Sequence, residues 1–531
     1  MFNKANVLPK SLRFLLIIVL VLGILFRLVN LDRKVYWHDE VFTSLTISGY
    51  TRSEVDSNIE NGSIITPQDL QEYQYPSPNK SFSSSIYSLA IDEPQLSPLY
   101  FCIVKLWVNL FGNSITIIRS ISVIFSLLSL PCIYWLCLEL FQSFSIAWIG
   151  TAILAVSPLH ILYAQEARMY SLYALSILLS SLAFLRAIRL RNKLSWAFYA
   201  ATITIGMYTH LLFGLVSAAH GSYILISQKP KINKTSLFYL IASLIGLITF
   251  IPWLVVMIIR YPYINSQLDW LNQSKSLFKI VFIWLVNFSR ILFDFQADYI
   301  LDNLSDYILW FSVLGLSLAL LVYSIYFLYR HSSKEQSQLI LFLIFIPAIA
   351  LAVPDLLSGG TRSIHTRYAL ITYLGCNLAF AYLFGTQIIE NNNSRLKKNV
   401  WNILLMTLIF LGLVSCSLSY NKYTWWNKFF SSDNIPISRI IEQEKSPLVI
   451  SEGDTEEMGF GNLVSLSYSL NNQTKIQLFR QLDITKIPTK DFKSIFVFNP
   501  SPQFKDEMEN QYGLMLESIY ENDLSLWKLK Q

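Results

Sequence analysis

FLLIIVLVLGILFRLVNLDRKVYWHDE, residues 14–40, sets a long apolar run against a short charged tail. Residues 14–31 approach the roughly 20 apolar residues that a helix needs to cross a bilayer. Lys4, Lys10 and Arg13 precede the run, as they would precede the core of a signal peptide. The run is long, however, holds Arg27 near its far end and shows no small-residue cleavage site, so it reads as an uncleaved anchor. Just beyond it, Trp37-His38-Asp39-Glu40 places two carboxylates and an imidazole at the membrane surface. A base at that depth reaches both a lipid-borne substrate and an acceptor in the water.

The rest of the chain extends this pattern. Of its 531 residues, 53% are hydrophobic and 14% charged, against roughly a quarter charged in soluble domains. Eleven spans are expected, near 14–31, 115–140, 145–163, 168–189, 194–209, 211–228, 236–259, 305–329, 338–357, 367–388 and 399–419. The basic clusters Lys4/Lys10/Arg13, Arg186/Arg189/Arg191/Lys193, Lys229/Lys231/Lys234, Arg330/Lys334 and Arg395/Lys397/Lys398 then share one side. By the positive-inside rule that side is cytoplasmic. This needs the apolar stretches 98–112 and 279–297 not to cross; the first is short and holds Lys105, the second holds Asn287 and Arg290. The amino terminus is thus expected in the cytoplasm and the carboxyl terminus outside. The net charge of +6 resides in these flanks and gives no reason to invoke nucleic acid.

The expected organisation is a transmembrane domain, residues 1–419, with a first outer loop at about 32–114, and an extracytoplasmic domain, residues 420–531. The middle of the loop, 51–85, is rich in Ser, Asn, Gln and Pro. In the tail, β-rich runs at 447–451, 475–479 and 494–498, with helical patterns between the first two and at 503–512, predict a small α/β domain. Cys102, Cys132, Cys137, Cys376 and Cys416 lie in apolar stretches without metal-type spacing and read as small buried hydrophobes.

Ionisable residues at span edges are functional candidates by default, and here they collect on the outer side. Asp39 and Glu40 follow span 1, and Glu93 precedes the stretch beginning at Pro98. Arg119 opens span 2; His160, Glu166 and Arg168 bracket the turn between spans 3 and 4; His210 separates spans 5 and 6; Arg362, His365 and Arg367 open span 10. Carboxylates suit a general base, and arginines suit phosphate and the charge that builds on a departing phosphate. Together at headgroup depth they suit transfer of a group from a lipid phosphate to a hydroxyl.

The order of these motifs resembles the integral-membrane GT-C glycosyltransferases, the family 39-like enzymes related to protein O-mannosyltransferases and lipid A aminoarabinose transferases. The resembling segments are the tetrad at 37–40, Glu93-Pro94-Gln95-Leu96-Ser97-Pro98-Leu99-Tyr100, and Phe111-Gly112-Asn113-Ser114 followed by Ile118-Arg119-Ser120. SPLHILYAQEARMY at 157–170 and Thr366-Arg367-Tyr368 complete the set, over residues 14 to about 390. Gln95-Leu96-Ser97 interrupts the family's usual Pro-Pro run, and the polar insertion at 51–85 lengthens the first loop. The resemblance implies an α-helical polytopic membrane fold, a polyprenyl-phosphate-sugar donor, and a lipid, polysaccharide or protein acceptor. It also implies a bacterial inner-membrane location.

It further implies that Asp39 is the base that takes the acceptor proton as the anomeric carbon inverts; a helix cap is the competing role. Glu40, adjacent on a helix and so turned by about 100°, and Glu166 are the further catalytic candidates. Arg168, Arg367, Arg362 and Arg119 are candidates for the phosphate, against roles as span-end anchors. His38, His160, His210 and Glu93 are candidates for the pocket. His38 with Asp39 or Glu40, aided by His160 or His210, could also hold a divalent metal ion, for which Glu93 is a further candidate, against a structural role. A transporter or flippase for a lipid-linked glycan, or a non-catalytic glycan-binding membrane protein, remain as alternatives; a transporter would more often show matched halves and charges at mid-membrane.

Overall fold

The computed structural model describes residues 9–227, 233–296, 304–390, 395–453 and 458–530. Lys4, Lys229, Lys231 and the last residue of the stretch 279–297 lie outside them. The chain divides into two compact units. The first holds residues 1–29, 94–100 and 119–420; the second holds 30–93, 101–118 and 421–531.

Helices dominate the first unit. Among the described residues, seven helices are long and apolar enough to cross a membrane. They are Lys10–Leu28, Ile115–Phe141, Tyr170–Leu190, Lys234–Ile259, Trp310–His331, Lys334–Ser358 and Leu396–Tyr420. An eighth span counts if Phe144–Ala155 and Pro158–Ala164, bent by 59°, form one broken crossing. The other three expected spans exist as helices but are shorter or more polar. Lys193–Thr209 has 17 residues, and Leu211–Phe213 leads into Gly214–Ser227. Leu370–Glu390 has 21 residues, and other helices cover it almost entirely. A helix wrapped by protein tolerates Thr372 and Asn377, which a lipid-facing one would not.

The two stretches expected not to cross form the helices Leu99–Phe111 and Leu277–Ser289, of 13 residues each. At 1.5 Å per residue each reaches about 20 Å, short of the ~30 Å hydrocarbon core. Side-chain oxygens start several spans: Asn192, Asn233, Ser143 and Ser333 accept backbone N–H groups one turn ahead, satisfying donors that a helix start leaves open.

The break in the span Phe144–Ala155 is tied to the first helix. Arg27 is fully buried. Its guanidinium donates to the carbonyls of Leu154 (3.0 Å), Ala155 (2.5 Å) and Gly23 (2.7 Å), and to Ser126 Oγ (2.9 Å). Gln165 Nε2 reaches back to the carbonyls of Phe26 (2.8 Å) and Val29 (3.0 Å). Gly23 allows the approach, because a Cβ there would run into the Ala155 carbonyl.

The second unit holds a six-stranded mixed sheet. Its strands are β1 (Asn61–Ile65), β2 (Leu448–Glu452), β3 (Lys475–Phe479), β4 (Ile495–Phe498), β5 (Leu516–Glu521) and β6 (Ser525–Leu529), in the order β1-β3-β2-β4-β6-β5. β2 is central and runs parallel to both β3 and β4. Its run Leu448-Val449-Ile450 is wholly buried, as a parallel strand covered on both faces should be. Helix Met458–Ser467 joins β2 to β3, and Pro502–Asp506 follows β4. The sheet thus includes the expected tail strands, plus the hairpin β5–β6 and a strand from the first loop, β1, antiparallel to β3. The polar insertion is folded. Capping boxes Thr51/Glu54 and Thr66/Asp69 start the helices Arg52–Ile59 and Pro67–Gln71 on either side of β1.

Arg27→Leu should lower the melting temperature of the detergent-solubilised protein. It leaves the Ala155 carbonyl without its donor, at about 1–3 kcal/mol for a buried group left unmatched, while the Leu154 carbonyl keeps the Ser157 N–H at 3.4 Å. An unchanged melting temperature would show that the latch is not needed.

Candidate active site

The sequence-derived candidates fall into two groups, one in each unit. In the second unit, helix His38–Ser48 starts at Trp37, whose backbone N–H donates to Glu40 Oε2 (3.4 Å). The same oxygen receives Lys428 Nζ at 2.8 Å, and both side chains of this ion pair are fully buried. Glu40 is therefore matched by a cation within the fold. Lys428, in the segment Trp426–Ser431, was not a sequence candidate; it lies 388 residues away with no pattern linking the two. Asp39 differs from its neighbour. It occupies the first turn of the same helix, with its side chain 13% exposed and Oδ1 3.7 Å from His38 Nδ1.

His38 packs between Phe42 and Phe430, with ring centroids 5.0 and 5.6 Å away. The backbone of Gly461 lies against its ring, and a Cβ there would press on the imidazole. This is an aromatic socket that orients the ring beside Asp39. Among the described residues no group of three or more His, Cys, Asp or Glu side chains could hold a metal ion. The His38–Asp39 pair by itself supplies too few donors to define a divalent site. Glu93 closes helix Phe82–Asp92 and is half-buried; Asp92 beside it accepts the Arg52 backbone N–H at 2.9 Å.

The first unit gathers most of the other candidates around the turn after Pro158–Ala164. Glu166 is fully buried and Arg168 nearly so, and the Arg168 N–H donates to the Glu166 carbonyl at 2.8 Å. Ser122, one turn beyond the fully buried Arg119, donates to the Arg168 carbonyl (3.4 Å) and is 2.8 Å from the Tyr100 hydroxyl. The short helix and the late Arg-Tyr segment meet where Tyr163 Oη lies 2.6 Å from Thr366 Oγ1. Arg367 follows directly. Its Nη1 is 3.5 Å from Tyr170 Oη, and its guanidinium lies 5.6 Å from the Trp270 ring and 5.4 Å from the Tyr368 ring. Tyr163 and Tyr170 pack at 4.8 Å. The site is thus a half-buried guanidinium framed by aromatic faces.

His210 joins this group. It stacks on Tyr173 at 4.4 Å and 13°, and its Nδ1 accepts the Leu212 N–H at 3.2 Å. Burial, followed by the positive charges of Arg367 and Arg168, pushes its pKa from 6.5 down to about 3. It is therefore a neutral imidazole at ordinary pH, as suits a residue beside two arginines. His160, buried in helix Pro158–Ala164, lines a narrow cleft with Arg27, Ser126, Tyr163 and Ser171. Arg362 is committed elsewhere. It pairs with Asp355 (3.4 Å) and donates to Asn272 Oδ1 (2.5 Å), while Asp355 also accepts the Ser363 N–H (2.6 Å). These contacts fasten the entry to the late Arg-Tyr segment. Trp270, the ring beside Arg367, and Tyr173, the ring stacked on His210, carry no distinguishing pattern in so aromatic a sequence.

Residues 92–256 match the family model described as dolichyl-phosphate-mannose-protein mannosyltransferase. That region holds the segments 93–100, 111–120 and 157–170, while the tetrad and Thr366-Arg367-Tyr368 lie outside it. Comparison with curated proteins gives no match. Among solved structures, ArnT from Cupriavidus metallidurans is similar over 98% of both chains: in the apo state at 10% identity with TM-score 0.54, and bound to undecaprenyl phosphate at 12% with TM-score 0.51. An oligosaccharyltransferase from Archaeoglobus fulgidus aligns at 12% identity and TM-score 0.46, over 87% of this chain and 63% of that one. The fold is the GT-C fold that the sequence resemblance implied.

Lys428→Met leaves Glu40 buried without its cation and should cost about 3–5 kcal/mol. Adding Glu40→Gln to it should restore most of that loss. Thermal or denaturant unfolding in detergent reads both; a silent single variant would show the pair to be dispensable. His210 gives a pH test. Its folded-state pKa lies below the unfolded value, so the unfolded chain binds the extra proton first, and the stability present above pH 6.5 is lost as pH falls from 6.5 toward about 3. His210→Asn, which keeps a short acceptor for the Leu212 N–H, should flatten that part of the melting-temperature profile. An unchanged slope would count against a neutral, buried His210.

Proposed function

We propose, from the premise that this is a polytopic membrane protein of the GT-C glycosyltransferase fold, that it moves a hexosyl or pentosyl group from a polyprenyl-phosphate donor to an acceptor hydroxyl. The observation that carries the reading on the acceptor side is the contrast between two neighbouring carboxylates. Glu40 is buried against Lys428, while Asp39 keeps a partly open side chain at the start of the same helix. Asp39 is the general base. It takes the hydroxyl proton as the acceptor oxygen bonds to the anomeric carbon. The bond from that carbon to the phosphate oxygen breaks, its electrons leave with the polyprenyl phosphate, and the anomeric configuration inverts. Glu40 holds the helix start that presents Asp39.

On the donor side, Arg367 and Arg168 are the phosphate residues. Arg367 combines a half-buried guanidinium with the hydroxyl of Tyr170 and flanking aromatic rings. Such a frame holds the fork in one orientation, so that little side-chain freedom is lost when it binds a phosphate. His210, neutral beside them, adds no positive charge of its own. Glu166 sits on the same turn as Arg168 and positions it through the backbone. The undecaprenyl phosphate in the similar ArnT structure supports a lipid-phosphate donor here. No step is assigned to a metal ion. The reaction takes place on the extracytoplasmic side, with the amino terminus in the cytoplasm, in a bacterial inner membrane.

Transfer from a polyprenyl-phosphate sugar, assayed in membranes, is the test. Asp39→Asn should lower the turnover number by about 10²–10⁴, the usual share of a general base. Arg367→Ala should weaken donor use by about tenfold or more, the scale of a charge-assisted hydrogen bond, and leave the acceptor KM largely unchanged. Full activity in the first variant removes the base assignment; an effect on acceptor alone in the second removes the phosphate role. A reporter fused after Gln531 that proves cytoplasmic contradicts the orientation.

A further inference from the structure

A second basic site lies in the first unit, at the ends of helices Ile115–Phe141 and Tyr170–Leu190, where the sequence places the cluster Arg186/Arg189/Arg191/Lys193. A cavity of about 620 Å³ opens there, lined by Trp135, Glu139, Gln142, Leu182, Arg186 and Arg189. That volume falls within the range of small-ligand sites. The lining follows from helix periodicity. Trp135 and Glu139 are four residues apart and Arg186 and Arg189 three apart, so each pair shares one face of its helix. Gln142, at φ 51°, ends the first helix beside them, and Ser143 caps the next.

The charges are arranged unequally. Glu139 is mostly covered and pairs with Arg189 at 3.0 Å, while the Arg189 side chain remains 57% exposed with the rest of its fork outward. Arg186 is exposed and makes no ion pair among the described residues. Two arginines against one carboxylate leave one positive charge for a ligand. Trp135, 58% exposed, offers a large amphipathic ring on the same rim. Tryptophan prefers headgroup depth, and basic pockets between spans on the cytoplasmic side suit anionic lipid headgroups.

We propose that this cleft binds the headgroup phosphate of an anionic phospholipid of the surrounding bilayer. Arg186 is the main phosphate donor. Arg189, steered by Glu139, closes on the same group, and the Trp135 ring lies along the glycerol backbone. The occupant is a membrane lipid rather than free phosphate, because the rim couples the cations to a ring that favours the interface. The site would tie the inner end of the helix bundle to lipid composition, and it is separate from the Arg367 group in both residues and helix ends.

The test uses the full-length protein in phosphatidylcholine nanodiscs carrying a photoreactive phosphatidylglycerol, with labelled peptides mapped by mass spectrometry. Labelling should fall on peptides holding residues 135–142 and 182–189. It should be competed by phosphatidylglycerol, and not by phosphatidylcholine or inorganic phosphate. Arg186→Gln with Arg189→Gln should reduce it by about tenfold or more, while Lys397→Gln with Lys398→Gln, at another basic cluster, leaves it unchanged. If the double variant does not fold, Arg186→Gln alone, which breaks no ion pair, gives the reading. Undiminished labelling in the arginine variants, or equal labelling by a phosphatidylcholine probe, overturns the proposal. Competition by inorganic phosphate alone makes the site one for free anions and overturns the lipid assignment.

Discussion

A single buried cation sets the frame for the first unit. Arg27 lies near the end of an apolar helix, where an uncompensated charge is costly. It is kept there by the helix end beside it. The last carbonyls of Phe144–Ala155 have no partners within their own helix, and the guanidinium supplies donors to two of them. Positive charge at a helix C-terminus also meets the negative end of its dipole. The break therefore does not expose backbone to lipid, and the chain can restart at Ser157 with a 59° bend. Without the bend, Pro158–Ala164 would continue along the axis of the span. With it, Tyr163 reaches Thr366, and Gln165 reaches back to Phe26 and Val29. These contacts hold the entry to the turn bearing Glu166 and Arg168, and Ser122 donates to the Arg168 carbonyl at its other end.

Much of this was legible in the chain. The apolar runs at 14–31, 115–140, 168–189, 236–259, 338–357 and 399–419 correspond to long helices because twenty apolar residues in a row have few other uses. The tail strands at 448–452, 475–479 and 495–498 were legible because buried parallel strands are continuous hydrophobic runs. β1 was not. Asn61-Gly62-Ser63-Ile64-Ile65 holds only two strong strand formers, and it is an edge strand whose place is fixed by β3, more than four hundred residues on. Leu370–Glu390 is polar for a span because protein, rather than lipid, surrounds it, and a hydropathy pattern does not separate those two environments.

The candidate site was legible as residue types and obscure as partners. Arg367 and Arg168 stood out as charges at a span edge. That Arg367 is framed by Trp270, Tyr368 and Tyr170 depends on a loop and a helix end far apart in sequence. His210 read as a candidate for the pocket. Its surroundings make it a neutral spacer, because burial disfavours the charged ring and two neighbouring guanidinium groups oppose a third positive charge.

Neutralisation inside the fold is what separates the candidates from one another. A carboxylate or guanidinium already matched by a buried partner has little left to offer a substrate, since engaging one means breaking a pair in a low-dielectric interior. Glu40 is such a group, held by Lys428, and Asp355 is another, held by the partly exposed Arg362 and by the Ser363 N–H. Their charge goes into shaping a helix start and the entry to the Arg-Tyr segment. Asp39 and Arg367 are positioned by those arrangements. Asp39 rides the helix start that Glu40 fixes, and Arg367 follows the segment that Arg362 fastens. Each proposed functional residue is thus presented by a neighbouring charge of its own kind that the fold has already matched.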